Sequence, residues 1–178
     1  MDDSALINEC VKGNAKAQKM LFDKFAPKMM TVCLRYGSYS MEAEDILQDG
    51  FVKTFNKLVD FKQEGSLEGW IRRIMVNTAL DAIRKNKKYA QDANIDDVGF
   101  KISNFESASD DIQAEDLLKL INSMPEGYKV VFNLFAIEGY SHKEISELMN
   151  ISENTSKSQY SRARSYLRTR LEKLEIER

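Results

Sequence analysis

The chain has 178 residues, 43% of them hydrophobic and 30% charged, and its 26 basic and 28 acidic side chains leave a formal net charge of −2. That length holds one ordinary domain or two small ones, and the scarcity of glycine (8) and proline (2) among many helix formers predicts a mostly helical protein. No apolar run approaches the roughly 20 residues that span a bilayer, and with one histidine and two cysteines far apart there is neither a zinc ligand set nor a Ser-His-Asp triad.

Residues 3–36 read as helices. Ala5, Leu6 and Val11 open an apolar pattern that Ala17, Met20, Leu21, Phe25, Met29, Val32 and Cys33 continue. Cys10 and Cys33 fit this pattern as small buried hydrophobes. The N-terminus is acidic and lacks the basic and apolar regions of a signal peptide, so a cytoplasmic protein is expected, without a membrane-inserted segment. After a break at 36–40, Ser40 is expected to cap a helix over about 41–59, with Glu42 and Glu44 in its first turn. Ile46, Leu47, Phe51, Phe55 and Leu58 form its buried stripe, and Asp45, Gln48, Asp49 and Val52 share another face. Residues 60–69 are a glycine-containing loop.

A helix follows over 70–88, opening on the only tryptophan and ending in a basic cluster. Ile71, Ile74, Met75, Thr78 and Ala82 make its apolar stripe, Asn77, Asp81 and Arg84 a neighbouring face, and Arg72, Arg73, Lys85, Lys87 and Lys88 lie outside the stripe. Residues 91–111 hold six acids against Lys101, lack helical periodicity, and read as a flexible acidic linker with extended pieces around 98–102. Helical pattern returns at Ile112 with Leu117, Leu118, Leu120 and Ile121, breaks at 123–127, and resumes over 128–138, where Gly139 is a C-cap. Ser141 precedes Glu144 by three residues, a capping box that starts a short helix over Ile145, Leu148 and Met149. A turn at 150–154 leads to a last helix from Thr155 carrying Lys157, Arg162, Arg164, Arg168 and Arg170, with Tyr160 and Ala163 facing inward.

Charge is segregated along this order: residues 61–90 carry a net +4, residues 91–127 a net −7 and residues 151–178 a net +3. Two basic helices separated by an acidic stretch suggest two nucleic-acid contacts; two solvated helix faces flanking a tether would look the same. A short helix, a tight turn and a longer basic helix make a helix-turn-helix, whose second helix enters the major groove with its N-terminal residues at base edges. The fold class is therefore all-α, with small helical domains at 1–90 and 112–178 joined by the acidic linker 91–111.

Four blocks in order give the chain its resemblance to bacterial sigma factors of the sigma-70 family, extracytoplasmic-function group. They are Ala43 to Phe51 (AEDILQDGF); Trp70, Ile71, Arg73, Ile74, Asn77, Asp81 and Arg84; Gly139, Tyr140, Ser141, Glu144 and Ile145; and Thr155, Lys157, Ser158, Arg162, Ala163 and Arg164. The resemblance covers about 5–88 and 112–173. It implies a sigma-2 domain that binds the clamp of core RNA polymerase and melts the −10 element, and a sigma-4 domain that reads the −35 element as duplex. It implies no catalysis and no cofactor or metal; core RNA polymerase, promoter DNA (duplex and melted strand) and an anti-sigma protein are the implied partners. Carried over residue by residue, Asp45, Gln48, Asp49 and Val52 fall at the clamp contact. Phe61, Lys62 and Ser66 line a pocket for a flipped base, Arg72, Arg73 and Lys85 hold phosphates, and Asn77 offers its amide to a base edge. Asp81 and Arg84 read as an ion pair that fixes the helix, and Trp70 as core.

In the second domain Lys157, Ser158, Ser161 and Arg162 fall at positions for −35 bases and phosphates, Thr155 caps the helix and Arg164 meets the backbone. Three positions depart from the family's usual residues: Asn154 for glycine, where asparagine tolerates a turn conformation, Ser156 for valine or alanine, and Gln159 for arginine, which removes a charge at the DNA. The acidic linker is either a mimic of RNA in the polymerase channel or a simple tether. The competing reading is an autonomous regulator that binds an operator through 141–170 without polymerase.

Overall fold

A computed structural model describes residues 3–37, 40–92 and 114–176, and every regular element among them is helical. They fall into two compact units, one within Met1–Val98 and the other within Gly99–Arg178. The first unit holds α1 (Asp3–Val11), α2 (Ala15–Leu34), α3 (Ser40–Lys57), a single 3-10 turn (Leu58–Asp60) and α4 (Leu67–Asp92). The second holds α5 (Ala114–Asn122), α6 (Glu126–Phe132) running into a π turn (Asn133–Ile137), α7 (His142–Met149) and α8 (Glu153–Ile176). Most of the acidic stretch 91–111, with its expected extended pieces, lies outside the described residues, but α4 continues through 91 and 92. Residues 89–92 contain neither glycine nor proline, so nothing local stops the helix at 88.

In the first unit α2, α3 and α4 pack on one another and α1 closes the side next to α2 and the 3-10 turn. Asn14 caps α2 with its Oδ1, which accepts from the amides of Lys16 and Ala17. Leu21, Phe25, Met29, Val32 and Cys33 line its buried stripe, whereas Val11 and Met20, expected in that pattern, are 46% and 49% exposed. Pro27 sits inside α2 on the exposed side, so the carbonyl it leaves without a helical partner faces water. Ser40 lies within α3 rather than capping it. The α3 stripe holds Ile46, Leu47 and Phe51 as expected, Phe55 being half-buried, and adds Ala43, Gly50 and Thr54, while the expected Leu58 is buried in the 3-10 turn that follows. At Gly50 there is no room for a side chain: a Cβ there would lie 2.2 Å from Met75 Sδ on α4.

The buried side of α4 is wider than the expected stripe. Ile71, Met75 and Thr78 are buried, Ile74 and Ala82 only half so, while Val76, Ala79, Leu80 and Ile83 complete the core. Because α4 packs against both α2 and α3, it buries about half its circumference, not one narrow stripe. Both cysteines are buried: loss of solvation raises the Cys10 thiol above its ordinary range and pushes Cys33 up to about 12. Neither thiol is expected to react with a disulfide reagent at pH 8 until the chain is unfolded in denaturant, and a colorimetric thiol count before and after unfolding checks this.

The second unit centres on Ile121, Met124 and Ala163, with Tyr128, Phe132, Tyr166 and Leu167 packed around them. Tyr166 donates to the Ser123 carbonyl at 2.8 Å and so ties α8 to the end of α5. The expected helix over 128–138 begins at Glu126 and ends in a π turn closed by the Glu138 amide on the Asn133 carbonyl at 2.9 Å. Gly139 follows at φ +79°, the left-handed geometry expected of a C-cap. The capping box is formed: Ser141 Oγ accepts from the Glu144 amide at 3.2 Å and Glu144 accepts from the Ser141 amide at 2.8 Å. Ser141→Ala removes the first of these bonds and is expected to cost about 1 kcal/mol, read as a shift in the urea midpoint at constant slope.

Candidate nucleic-acid interface

The helix-turn-helix is built by α7, the turn at 150–152 and α8. Asn150 closes α7 at φ +51°, and Ser152 starts α8 by accepting the Thr155 amide on its Oγ at 2.9 Å. The cap is therefore Ser152, not Thr155, which lies within the first turn of the helix with its hydroxyl 2.8 Å from that of Ser152. Two equivalent cap candidates stand three residues apart in the sequence, and the helix uses the earlier one because Glu153 and Asn154 extend it backwards. Asn154 is accordingly helical and exposed, so the left-handed tolerance of asparagine is used at Asn150 instead.

Around α8, Ala163 and Ser156 are fully buried and Tyr160 and Leu167 half-buried, which fixes the inner side. Lys157, Ser158, Ser161, Arg162 and Arg164 are all exposed. At about 100° per residue, Lys157, Ser161, Arg164 and Arg168 fall on one stripe about 100° around the helix from that inner side, Ser158 lies opposite the inner side and Arg162 on the other flank. Lys157 is held by Glu153 one turn earlier at 2.8 Å, and that pairing lowers the Glu153 carboxyl below its ordinary range. Arg164 lies over the Tyr160 ring at 6.0 Å. Gln159 turns away from this stripe: its amide packs where a Cβ on Gly127 of α6 would stand, with Oε1 3.0 Å from that point. In place of the expected missing charge at the DNA, Gln159 supplies a packing contact between α6 and α8.

In the first unit, Arg73, Asn77, Asp81 and Arg84 lie along one exposed side of α4, with the half-buried Trp70 at its start. Phe61, also half-buried, covers Trp70 with ring centroids 5.2 Å apart, so these two aromatics make an exposed-edged pair instead of a core contact. Asp81 uses both carboxylate oxygens, one for Arg84 at 2.9 Å and one for Lys53 of α3 at 3.1 Å. The Asp81–Arg84 pair is the helix-fixing contact read from the sequence, and Lys53 extends it to the neighbouring helix. Lys62 and Lys85 are exposed. Arg72 is half-buried and lies about 140° around α4 from Asn77, so it is not brought together with Arg73. Ser66 Oγ accepts the Gly69 amide at 3.1 Å and serves as the N-cap of α4, which starts three residues before Trp70.

Asp45, Gln48, Asp49 and Val52 are all exposed on one side of α3 at i, i+3, i+4 and i+7. Val52 is 59% exposed and Met41, one turn before Asp45 on the same side, 75%. Met41 lies outside the sequence motifs, although its eleven-residue spacing from Val52 places both on one stripe.

A chain whose regular elements are all helical among the described residues, with an open acidic face on α3, a basic polar helix and a capped helix-turn-helix, has the build of a DNA-binding transcription factor. Comparison with known proteins narrows that class. The family model described as Sigma-70 region 2 matches residues 21–89, and that described as Sigma-70, region 4 matches residues 114–167. The ECF RNA polymerase sigma-E factor of Haemophilus influenzae is 26% identical over 185 residues, covering 98% of this chain and 97% of the relative. The factor of the same name from Escherichia coli K12 is 26% identical over 187 residues, covering 98% and 96%. Among solved structures, the sigma factor RpoE in complex with the anti-sigma factor NepR from Bartonella quintana superposes with a TM-score of 0.58 at 24% identity, covering 86% of this chain and 96% of that one. CnrH in complex with the cytosolic domain of CnrY gives 0.51 at 20% identity, covering 94% and 96%. The chain belongs to the sigma-70 family, in its extracytoplasmic-function group.

Proposed function

We propose that this sigma factor divides promoter recognition between its two units. As a member of its family it binds core RNA polymerase and directs promoter-specific initiation; the assignment of tasks to residues is the proposal. The clamp is met by the open side of α3, through Asp45, Gln48, Asp49 and Val52, with Met41 extending it. The melted −10 strand runs along α4, where Asn77 meets a base edge and Arg73 and Lys85 meet phosphates, and the Phe61–Trp70 pair with Lys62 borders the flipped base. Ser66, which caps α4, and Arg72, on another side of that helix, are left out of this set. The −35 duplex is read by Lys157, Ser158 and Ser161, with Arg162 and Arg164 at phosphates. No step of this work is catalytic, and it takes place where polymerase and promoter DNA meet, in the bacterial cytoplasm. An anti-sigma protein is a further proposed partner, supported by the complex of the neighbour RpoE with the anti-sigma factor NepR.

One observation carries the reading: matches to regions 2 and 4 fall, in order, on the two helical units. An autonomous operator-binding regulator gives the first of these matches no role and is not favoured. The test is co-migration of the purified chain with core polymerase, followed by permanganate mapping of unpaired thymines on genomic promoter fragments. Bound polymerase with opened DNA is expected, and Asn77→Ala is expected to reduce opening while leaving co-migration intact. Tight operator binding by the chain alone, without polymerase binding, would overturn the proposal.

A further inference from the structure

The junction of α7 with α8 holds a polar contact that promoter reading by exposed residues does not use. Ser156, in the first turn and a half of α8, is 0% exposed, and its Oγ lies 2.9 Å from Nδ1 of His142, the first residue of α7, in a hydrogen bond. The imidazole lies flat on Phe135 with centroids 4.2 Å apart and planes at 12°, and Tyr160 packs against the same phenyl ring at 4.5 Å. Stacking fixes the plane of the ring and the hydrogen bond fixes one of its atoms. Ile145 of α7 and Ala163 of α8 are fully buried apolar side chains, whose contacts are non-directional. A directional bond at residue 156 immediately precedes Lys157 and Ser158, whose polar atoms must come within about 3 Å of a base edge. A rotation of α8 by about 5° moves a tip roughly 7 Å from its axis by about 0.6 Å, as much as the 2.7–3.2 Å window such a bond allows.

We propose that His142 and Ser156 are a positioning pair that sets the rotation of α8 against α7 and thereby the selectivity of −35 recognition. Ser156, fully buried, acts through its neighbours and does not reach the duplex. The inference rests on the reading of α8 as the −35 helix.

The test uses holoenzyme reconstituted with core RNA polymerase on genomic promoter fragments that the wild type opens, each in its native form and with the −35 block replaced. Ser156→Ala keeps the site small and His142→Phe keeps the stack on Phe135, and each removes the hydrogen bond. Each is expected to lower opening of the native fragments about three- to tenfold and to leave the replaced ones unchanged. The double variant is expected to be no worse than either single one. His142→Asn, whose amide overlays Nδ1, is expected to recover most of that opening. The nitrogen resonances of the single imidazole in the full chain are expected to shift in Ser156→Ala. Unchanged opening of the native fragments would overturn the pairing, as would equal decreases on native and replaced fragments, which is the mark of a purely structural contact. Failure of the underlying reading shows separately: wild type would not distinguish the two fragment forms, and Lys157→Ala would have no effect.

Discussion

Gly50→Leu is expected to lower the melting temperature of the first unit by about 10 °C or more, read from the loss of helical circular dichroism. Glycine inside a helix costs about 1 kcal/mol against alanine, so its presence in the middle of α3 needs a gain elsewhere. The gain is closeness: a Cβ at 50 would lie 2.2 Å from Met75 Sδ and 2.9 Å from its Cε, and Met75 is itself 0% exposed between Ile71 and Ala79, which are equally buried. The Gly50 carbonyl also accepts the hydroxyl of Thr54 at 2.8 Å in the same dry contact. A leucine cannot enter unless the buried Met75 side chain gives way or α3 moves off α4, and overpacking of this kind costs about 1–3 kcal/mol, with each kcal/mol worth roughly 4–8 °C in a domain of this size. Gly50→Ala should fall less far, because better helix propensity offsets part of the clash. Combining it with Met75→Val, which vacates the contested space, is expected to restore more stability than the sum of the single effects allows. The consequence reaches function, since α3 presents the proposed clamp face and α4 the proposed strand-binding face; a splayed pair would hold neither in place.

The sequence revealed the stripes of single helices better than their surroundings. Asp45, Gln48, Asp49 and Val52 were legible as one open side of α3 because periodicity alone puts them there, and the Ser141–Glu144 box and Gly139 were legible because capping chemistry is local. The width of the buried side of α4 was not, since it depends on how many neighbours a helix has, which no local pattern states. The two serine caps were hidden for a different reason. Ser66 and Ser152 satisfy amides at helix starts, but a serine near a basic helix is equally fit to meet DNA, and only the position of the first turn decides. Arg72 and Arg73 look like a pair in the sequence and point about 100° apart in a helix. Gln159 and Gly127 are a third case: each is ordinary alone, and they meet only because α6 packs on α8. The polar bond between His142 and Ser156 escapes periodicity altogether, because a buried serine on an inner face reads as an alanine.

Lys157→Glu is expected to reduce opening of −35-dependent promoters about 10- to 100-fold, with little effect on fragments whose −35 block has been replaced. The magnitude follows from two parts: removal of a hydrogen bond to a base edge, worth about 1–3 kcal/mol of discrimination where a side chain reads guanine, and a carboxylate set against the duplex. In the free chain Lys157 is paired with Glu153 at 2.8 Å, and both side chains are about half exposed, so DNA competes only with a weak, solvent-screened partner. Glu153, like any exposed carboxylate, is ionised at neutral pH, and its hydrogen bond with Lys157 lowers its carboxyl below the ordinary range, so it acts as a competitor for the lysine. Glu153→Gln is accordingly expected to act in the opposite sense, strengthening binding by a few-fold, most visibly at low salt where charge effects are least screened. Arg164→Ala separates phosphate binding from base reading. Without its guanidinium at a phosphate, native and altered −35 blocks should be bound more weakly alike, and the salt dependence should flatten by about one charge. Lys157→Ala should instead change which base is preferred. If Lys157→Ala weakened every sequence equally, Lys157 would be a phosphate ligand, and the base-reading role on α8 would pass to Ser158 and Ser161 beside it.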